Sequence, residues 1–136
     1  GFCLVGSEMC IRDRFKAKSD VSNYTDPELI LMDSKKYDVG GKKLRISVME
    51  TTQPQEILKR KKSILKAMKD IEAEEGVDQI LFFVIDILKK EAILFVPNRL
   101  VKEIAEKSFG TSCVEDTTIL PGILSRKKQI IPQLKV

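Results

Sequence analysis

The feature that most constrains the fold is one continuous apolar segment, residues 79–87 (QILFFVIDI). Apolar side chains follow one another there without the polar alternation of a strand that has one solvated face. Such a segment suits a central strand that helices cover on both faces. It also contains Asp86, whose charge must find a partner or lie at the mouth of a cleft, because an unpaired buried charge is costly.

The rest of the chain supplies further strands for the same sheet. We expect them at residues 33–39, 42–50, 92–96 and 111–115. Gly40 and Gly41 separate the first two strands and favour a tight hairpin turn. Further turns are expected at residues 89–91 and 116–118.

Three segments have the pattern of helices, each with its own start or stop signal. They are a short helix that Thr25 or Asp26 caps with Pro27 in its first turn, a long helix at residues 53–75 that Gly76 ends, and an amphipathic helix at residues 99–109 that Gly110 closes. Because strands and helices alternate, we predict a single α/β domain, a mixed β-sheet flanked by helices on both faces.

Composition and charge limit the function classes. The chain has 136 residues, 43% of them hydrophobic, which fits one globular domain with a core. Its net charge of +4 is too small to argue for a nucleic-acid partner, and no apolar run reaches the ~20 residues of a membrane span. The absence of histidine excludes a histidine general base and imidazole-rich metal sites. The three cysteines form no disulfide framework, so we expect a cytoplasmic location.

A cluster of cations near the C-terminus is the main candidate binding site. Residues 125–129 (SRKKQ) place Arg126, Lys127 and Lys128 between apolar residues on both sides. This pattern predicts cations anchored at the end of a β-strand, where phosphate or pyrophosphate is their natural partner. Along an extended strand Arg126 and Lys128 face one way and Lys127 the other, so we expect the strand to end before Gln129. The alternative is a basic strand end in solvent.

Other charged residues have simpler interpretations. The run at residues 59–62 (KRKK) lies within the predicted long helix, where four consecutive residues spread around the axis and favour a solvated surface. Lys35 and Lys36 open the first strand, where lysines are usually solvated. No paired-acid spacing, Gly-rich phosphate loop or nucleophile elbow occurs. The residues therefore supply an anion clamp and no evident catalyst.

Several segments together carry a family resemblance. They are KAKSDVS (16–22), DSKKY (33–37), GGKK (40–43), VDQILFFVIDIL (77–88), KSFG (107–110) and LPGILSRKKQIIPQL (120–134). From about residue 15 onward the chain resembles the C-terminal domain of family II, manganese-dependent inorganic pyrophosphatases, the second domain of a DHH-type phosphoesterase. The last segment is the most specific, because order, spacing and flanking apolar residues all match.

The resemblance implies a division of labour between two domains. An N-terminal DHH domain, absent from this chain, binds Mn²⁺ or Co²⁺, while Mg²⁺ accompanies the substrate. The C-terminal domain grips pyrophosphate with cations that fall on Lys35, Arg126 and Lys127, and Lys128 belongs to the same motif. On this basis the chain holds no catalytic residue and no metal ligand. Residues 115–118 (EDTT) depart from the family, which more often has asparagines there, so we expect a differently shaped loop.

The resemblance also implies the reaction, in which pyrophosphate and water give two phosphates. Bridging metals activate the water, and cations neutralise charge on the phosphates. We expect this chain alone to bind pyrophosphate weakly and to hydrolyse none. Three alternatives remain open: an exopolyphosphatase-type DHH phosphoesterase domain, a non-enzymatic polyanion or nucleic-acid binding module, and a regulatory domain that lost its catalytic partner in evolution.

Three regions are expected along the chain. Residues 1–14 resemble translated adapter sequence and form a non-native or disordered leader, with a natural flexible terminus as the alternative. Residues 15–34 form a linker and short helix, and residues 35–136 form the DHH-associated C-terminal pyrophosphatase domain. No membrane or nucleic-acid partner is expected. If the parent enzyme is a homodimer, the resemblance implies contacts mainly through the missing domain.

Overall fold

The computed structural model describes residues 21–120, 122 and 126–135, which form a five-stranded sheet in the order β1-β2-β3-β4-β5. The strands are β1 (Ser34–Val39), β2 (Lys42–Thr51), β3 (Gln79–Asp86), β4 (Glu91–Val96) and β5 (Asp116–Leu120). β2 and β3 are parallel and the other neighbours are antiparallel, so the sheet is mixed as predicted. The predicted leader, residues 1–14, lies outside the described residues.

Helices pack on both faces of the sheet. They are α1 (Asp26–Leu31), α2 (Pro54–Leu58), α3 (Lys61–Glu75), α4 (Arg99–Phe109) and α5 (Lys127–Ile130), with 3₁₀ turns at Val21–Asn23 and Ile131–Gln133. One core cluster joins the sheet to α1, α2 and α3, and the other joins it to α4 and α5. β3 contributes the buried Phe82 to the first cluster and the buried Phe83 to the second. The continuous apolar segment is therefore the central strand that the sequence predicts.

The β1–β2 hairpin determines which β1 side chains face α5. Gly40 and Gly41 have φ values of 61° and 83°, the left-handed conformations that a tight type I′ turn needs and that glycine adopts without strain. The turn sets a register in which Lys35 lies opposite Ile46. Because Ile46 belongs to the core cluster on the α4 and α5 side, Lys35 lies on that face of the sheet.

The helix ends agree with the capping signals. Thr25 Oγ1 accepts a hydrogen bond from Glu28 N at 3.3 Å, and Pro27 lies in the first turn of α1. Gly76 and Gly110 are the left-handed residues that follow α3 and α4. No helix among the described residues combines the length and the apolar character that crossing a lipid bilayer requires.

The single helix predicted over residues 53–75 is wrong, because α2 and α3 are separate helices. Arg60 lies between them at φ −105° and ψ 20°. Its guanidinium donates hydrogen bonds to the carbonyls of Val21 and Tyr24 and pairs with Asp26. These contacts with a distant segment of the chain outweigh the local preference for one continuous helix.

The strand predicted at residues 111–115 and the turn predicted at residues 116–118 are also wrong. The first of these segments is a loop, and β5 begins at Asp116, which has a φ of 73°. Thr118 Oγ1 accepts a hydrogen bond from Val114 N at 2.8 Å and donates one to Val114 O at 3.0 Å. The side chain of Thr118 therefore holds the loop against the strand that follows it.

Candidate anion-binding site

Lys35 lies near the start of β1, on the face of the sheet that α5 covers. Its side chain is exposed, and Nζ lies 5.8 Å from the centroid of the Tyr37 ring. The ring face attracts an ammonium at this distance, which restricts an otherwise flexible side chain. Lys36 faces the opposite side, where its Nζ lies 3.8 Å from Glu75 Oε2. Of these two lysines, Lys35 is the one on the α5 face.

Lys127 is the first residue of α5, and its ammonium pairs with the carboxylate of Asp33. Asp33 directly precedes β1, so the pair joins segments 94 residues apart in sequence. The side chains of Lys127 and Asp33 are 39% and 48% exposed. Ile130 is fully buried in the core and anchors the short helix that carries Lys127.

Lys35 and Lys127 line one cleft of about 250 Å³. Asp33 and Tyr37 lie on its wall, and Ile46 and Val48 of β2 add apolar surface. Drug-sized ligands occupy sites of roughly 300–1,000 Å³, so this volume suits a smaller molecule. Among the described residues of its wall, two ammonium groups and one carboxylate give an excess of positive charge.

The prediction that SRKKQ ends a β-strand is wrong. Arg126 has extended backbone angles, but Lys127–Ile130 is a short helix. Successive helical residues are rotated by about 100° around the axis, so Lys127 and Lys128 point in different directions. Lys127 faces the cleft, whereas Arg126 and Lys128 are exposed and are not among the described residues on its wall. Residues 123–125 lie outside the described part of the chain.

The basic run at residues 59–62 makes separate contacts. Lys59 Nζ lies 3.3 Å from Glu56 Oε1, and Lys61 Nζ lies 3.8 Å from Asp116 Oδ2. Arg60 binds the N-terminal segment. The run therefore does not converge on one anion. Its interpretation as a solvated helix surface is wrong for Arg60, which lies between α2 and α3 and is only 27% exposed.

Asp86, the charged residue within the apolar strand, has the partner that the sequence analysis requires. It is 5% exposed, and its Oδ1 accepts hydrogen bonds from the N–H groups of Leu88 and Lys89, both at 3.1 Å. A carboxylate that accepts two N–H groups in a turn is satisfied without a cation. Asp86 therefore stabilises the turn between β3 and β4.

The described residues do not fit the manganese site that the resemblance assigns to the other domain. Among them, no three or more Asp, Glu or Cys side chains lie close enough together to hold a metal ion. Carboxylate and imidazole groups are the usual ligands of such ions, and the whole chain has no histidine. The charged side chains among the described residues of the cleft wall are Lys35, Lys127 and Asp33, and ammonium groups are suited to anionic ligands.

One contact of the cleft has no signal in the sequence. The alternation of β1 places Lys35 and Tyr37 on one face, which the residue pattern alone can predict. The pairing of Asp33 with Lys127 depends instead on how the C-terminal segment packs across the sheet. No pattern in the sequence indicates a role for Asp33.

Comparisons with known proteins agree with the resemblance. The family described as "DHHA2 domain" matches residues 13–136. A crystal structure described as that of a family II inorganic pyrophosphatase from Methanococcus jannaschii is similar, with a TM-score of 0.75 and 35% sequence identity. That match covers 93% of this chain and 40% of the other.

Two curated relatives are similar over most of the chain. The manganese-dependent inorganic pyrophosphatase of Methanocaldococcus jannaschii is 36% identical over 120 residues, and that of Bacillus subtilis is 33% identical over 120 residues. Each match covers 88% of this chain and 38% of the relative, so the chain spans well under half of their length. The matched part is the C-terminal portion of these relatives. With a family match across nearly all of its residues, this chain belongs to the DHHA2 domain family.

Proposed function

We propose that this chain is the substrate-binding C-terminal domain of a manganese-dependent inorganic pyrophosphatase, which converts diphosphate and water into two phosphates. The observation that carries the proposal is that Lys35 and Lys127, far apart in sequence, line the same small cleft. The names of the relatives support it, because this chain corresponds to the C-terminal part of manganese-dependent inorganic pyrophosphatases.

Lys35 and Lys127 act as electrostatic clamps in this proposal. Each ammonium donates charge-assisted hydrogen bonds to phosphate oxygens, and cations on two separate elements suit two linked phosphate groups. Arg126, exposed and adjacent to Lys127, offers a planar fork for two oxygens from the rim. Lys128 adds positive charge at the same end. None of them transfers a proton, and they neutralise charge on the phosphates as the bond breaks.

The proposal assigns the metals and the other contacts to the rest of a longer protein. Mn²⁺ or Co²⁺ belongs to an N-terminal DHH domain, and Mg²⁺ accompanies the diphosphate. This assignment is supported by the names of the relatives, manganese-dependent inorganic pyrophosphatases, of which this chain matches only about two fifths. The enzyme acts in the cytoplasm, and any homodimer contacts lie mainly in the N-terminal domain.

Calorimetric titration of the 136-residue chain with pyrophosphate at fixed ionic strength tests the cleft. Lys35→Met and Lys127→Met are each expected to raise the Kd about tenfold or more, since hydrogen bonds to charged groups contribute ~1.5–3 kcal/mol. Lys66→Met is the matched control, because Lys66 is exposed on α3, against the opposite face of the sheet. It is expected to change the Kd by less than about twofold, because surface charges beyond the Debye length are screened.

Equal weakening by all three variants would contradict the proposal. The binding would then reflect attraction to the net charge of the chain, which any polyanion shares. An undetectable interaction with the unaltered chain at millimolar pyrophosphate would also contradict it.

A second test concerns the assignment of substrate binding to this chain and of catalysis to an N-terminal domain. Phosphate release from pyrophosphate is expected to be absent for the purified chain in the presence of Mn²⁺, and metal-dependent turnover would overturn the assignment of catalysis to another domain. In the full-length protein, faster turnover of pyrophosphate than of tripolyphosphate is expected. The reverse order would favour an exopolyphosphatase.

A further inference from the structure

A carboxylate occupies the cationic cleft. Asp33 lies on the cleft wall and pairs with Lys127. Its backbone carbonyl accepts a hydrogen bond from Val48 N at 3.1 Å, which fixes the residue next to the sheet. Because the two paired side chains remain 48% and 39% exposed, both are accessible to a ligand that enters from solvent.

This arrangement opposes anion binding. Repulsion between two unit charges 4 Å apart in water raises a Kd by about fivefold, and the effect grows with the charge of the ligand. An anion that binds Lys127 must therefore displace Asp33 or remain close to it. An exposed ion pair contributes little to stability, so a ligand with several charged oxygens can open it.

We propose that Asp33 is an internal competitor that holds the ammonium of Lys127 until an anion replaces it. This inference rests on the proposed function of the cleft. The carboxylate raises the Kd for anions, and it favours ligands that also reach Lys35, because the second contact compensates for the ion pair that is lost. Asp33 thus regulates occupancy of the cleft without contacting the ligand.

An opposite role for Asp33 makes the inference testable. A carboxylate that only positions Lys127 would preorganise the cleft, and its removal would weaken binding. A competing carboxylate has the reverse effect. The sign of the change in Kd therefore separates the two roles.

The experiment compares Asp33→Asn with Asp38→Asn in calorimetric titrations with pyrophosphate. Both variants remove one negative charge from the same segment, but Asp38 alternates to the other face of β1. Asp33→Asn is expected to lower the Kd about three- to tenfold, and Asp38→Asn to change it by less than about twofold. In the Lys127→Met background the gain from Asp33→Asn is expected to vanish, since no ammonium remains to be released.

An unchanged or higher Kd for Asp33→Asn would overturn the inference, while a loss of binding in Lys127→Met would still support the proposed function. If Lys127→Met bound as well as the unaltered chain, the proposed function itself would fail.

A ligand-free measurement adds an independent readout. The rate of acetylation of Lys127, followed by peptide mass spectrometry, is expected to rise about two- to fivefold in Asp33→Asn, because the ion pair holds the side chain of Lys127 against Asp33 and limits its contact with the reagent. The urea midpoint of unfolding verifies that the variant is folded. An unchanged acetylation rate in the folded variant would show that the pair does not form in solution and would overturn the inference.

Discussion

Arg45 on β2 and Glu75 at the end of α3 form a two-point ion pair, with Nε 2.6 Å from Oε2 and Nη2 2.9 Å from Oε1. The remaining nitrogen, Nη1, donates a hydrogen bond to Ser34 Oγ at 2.6 Å, and that hydroxyl donates to Leu31 O at 3.1 Å. Ser34 directly precedes Lys35. The network therefore fixes, from the opposite face of the sheet, the strand that carries one of the proposed clamps.

Arg45→Met is expected to lower the free energy of unfolding by about 1–3 kcal/mol, because it leaves a partly buried carboxylate without its hydrogen-bond donors. Lys36→Met is the control. Lys36 is 53% exposed and lies 3.8 Å from the same carboxylate, whereas Arg45 is 14% exposed. The control should change the unfolding free energy by less than about 0.5 kcal/mol. Urea denaturation measures both, and equal losses would show that the two-point geometry adds nothing.

Arg60→Lys tests the contact that separates α2 from α3. Lysine keeps the charge but lacks the planar fork that reaches two carbonyls and a carboxylate. Backbone amides in residues 21–31 are expected to exchange hydrogen about tenfold faster, while those of β3 keep their protection. Lys59→Met is the control, since Lys59 is 71% exposed. Hydrogen-exchange mass spectrometry gives the result, and unchanged exchange in residues 21–31 would mean that Arg60 does not hold this segment.

Local sequence signals predicted the parts of the fold that local interactions determine. The Gly40-Gly41 pair gave the hairpin because few other residues adopt two consecutive positive φ values. The continuous apolar segment at residues 79–87 predicted β3, because such a segment suits a strand that is covered on both faces. Both features depend on residues adjacent in the chain.

The incorrect predictions concern segments whose structure depends on distant contacts. Arg60 interrupts a good helical pattern to bind carbonyls in the segment before α1. The SRKKQ segment has apolar neighbours that suit a strand, yet Lys, Lys and Gln are also good helix formers, and Pro132 follows one turn later. Sequence alone does not decide between these conformations.

The candidate site was predictable only in part. The cation cluster indicated an anion ligand for Arg126, Lys127 and Lys128 together, and it did not distinguish Lys127 from the other two. Solvated lysines are common at strand starts, so Lys35 was included only through the family resemblance. Its proximity to Lys127 follows from the β1–β2 register and from the packing of α5 across the sheet. Asp33 has no such signal, because its partner lies 94 residues away.

Asp86→Ala tests whether this buried carboxylate is structural. The substitution leaves two N–H groups without their acceptor and is expected to lower the free energy of unfolding by about 1–3 kcal/mol. Asp86→Asn keeps one acceptor oxygen and should lower it by less. Pyrophosphate binding should change by less than about twofold in the folded variants, because Asp86 is not among the described residues that line the cleft. Asp38→Ala, exposed on β1, is the stability control. A large loss of binding without a loss of stability would instead assign Asp86 to the ligand.

Glu72 on α3 gives the fold a predictable dependence on pH. Partial burial raises the pKa of its carboxyl above the ordinary value of 4.5, while the Ile80 N–H and Lys69 act in the opposite direction. The folded protein therefore binds this proton more tightly than the unfolded chain. The resulting stabilisation is fully present below the unfolded pKa and is lost as the pH rises through the folded pKa.

Glu72→Gln removes this titration and keeps an oxygen that can accept the Ile80 N–H. The free energy of unfolding at neutral pH is expected to stay the same or to rise by up to about 1 kcal/mol, and its change with pH just above 4.5 should become smaller than in the unaltered chain. Urea denaturation at a series of pH values measures the effect. Glu74→Gln, exposed on the same helix, is the control. An equal reduction of the pH dependence in Glu74→Gln would contradict the prediction, because the effect would then come from the net charge of the protein and not from the burial of Glu72.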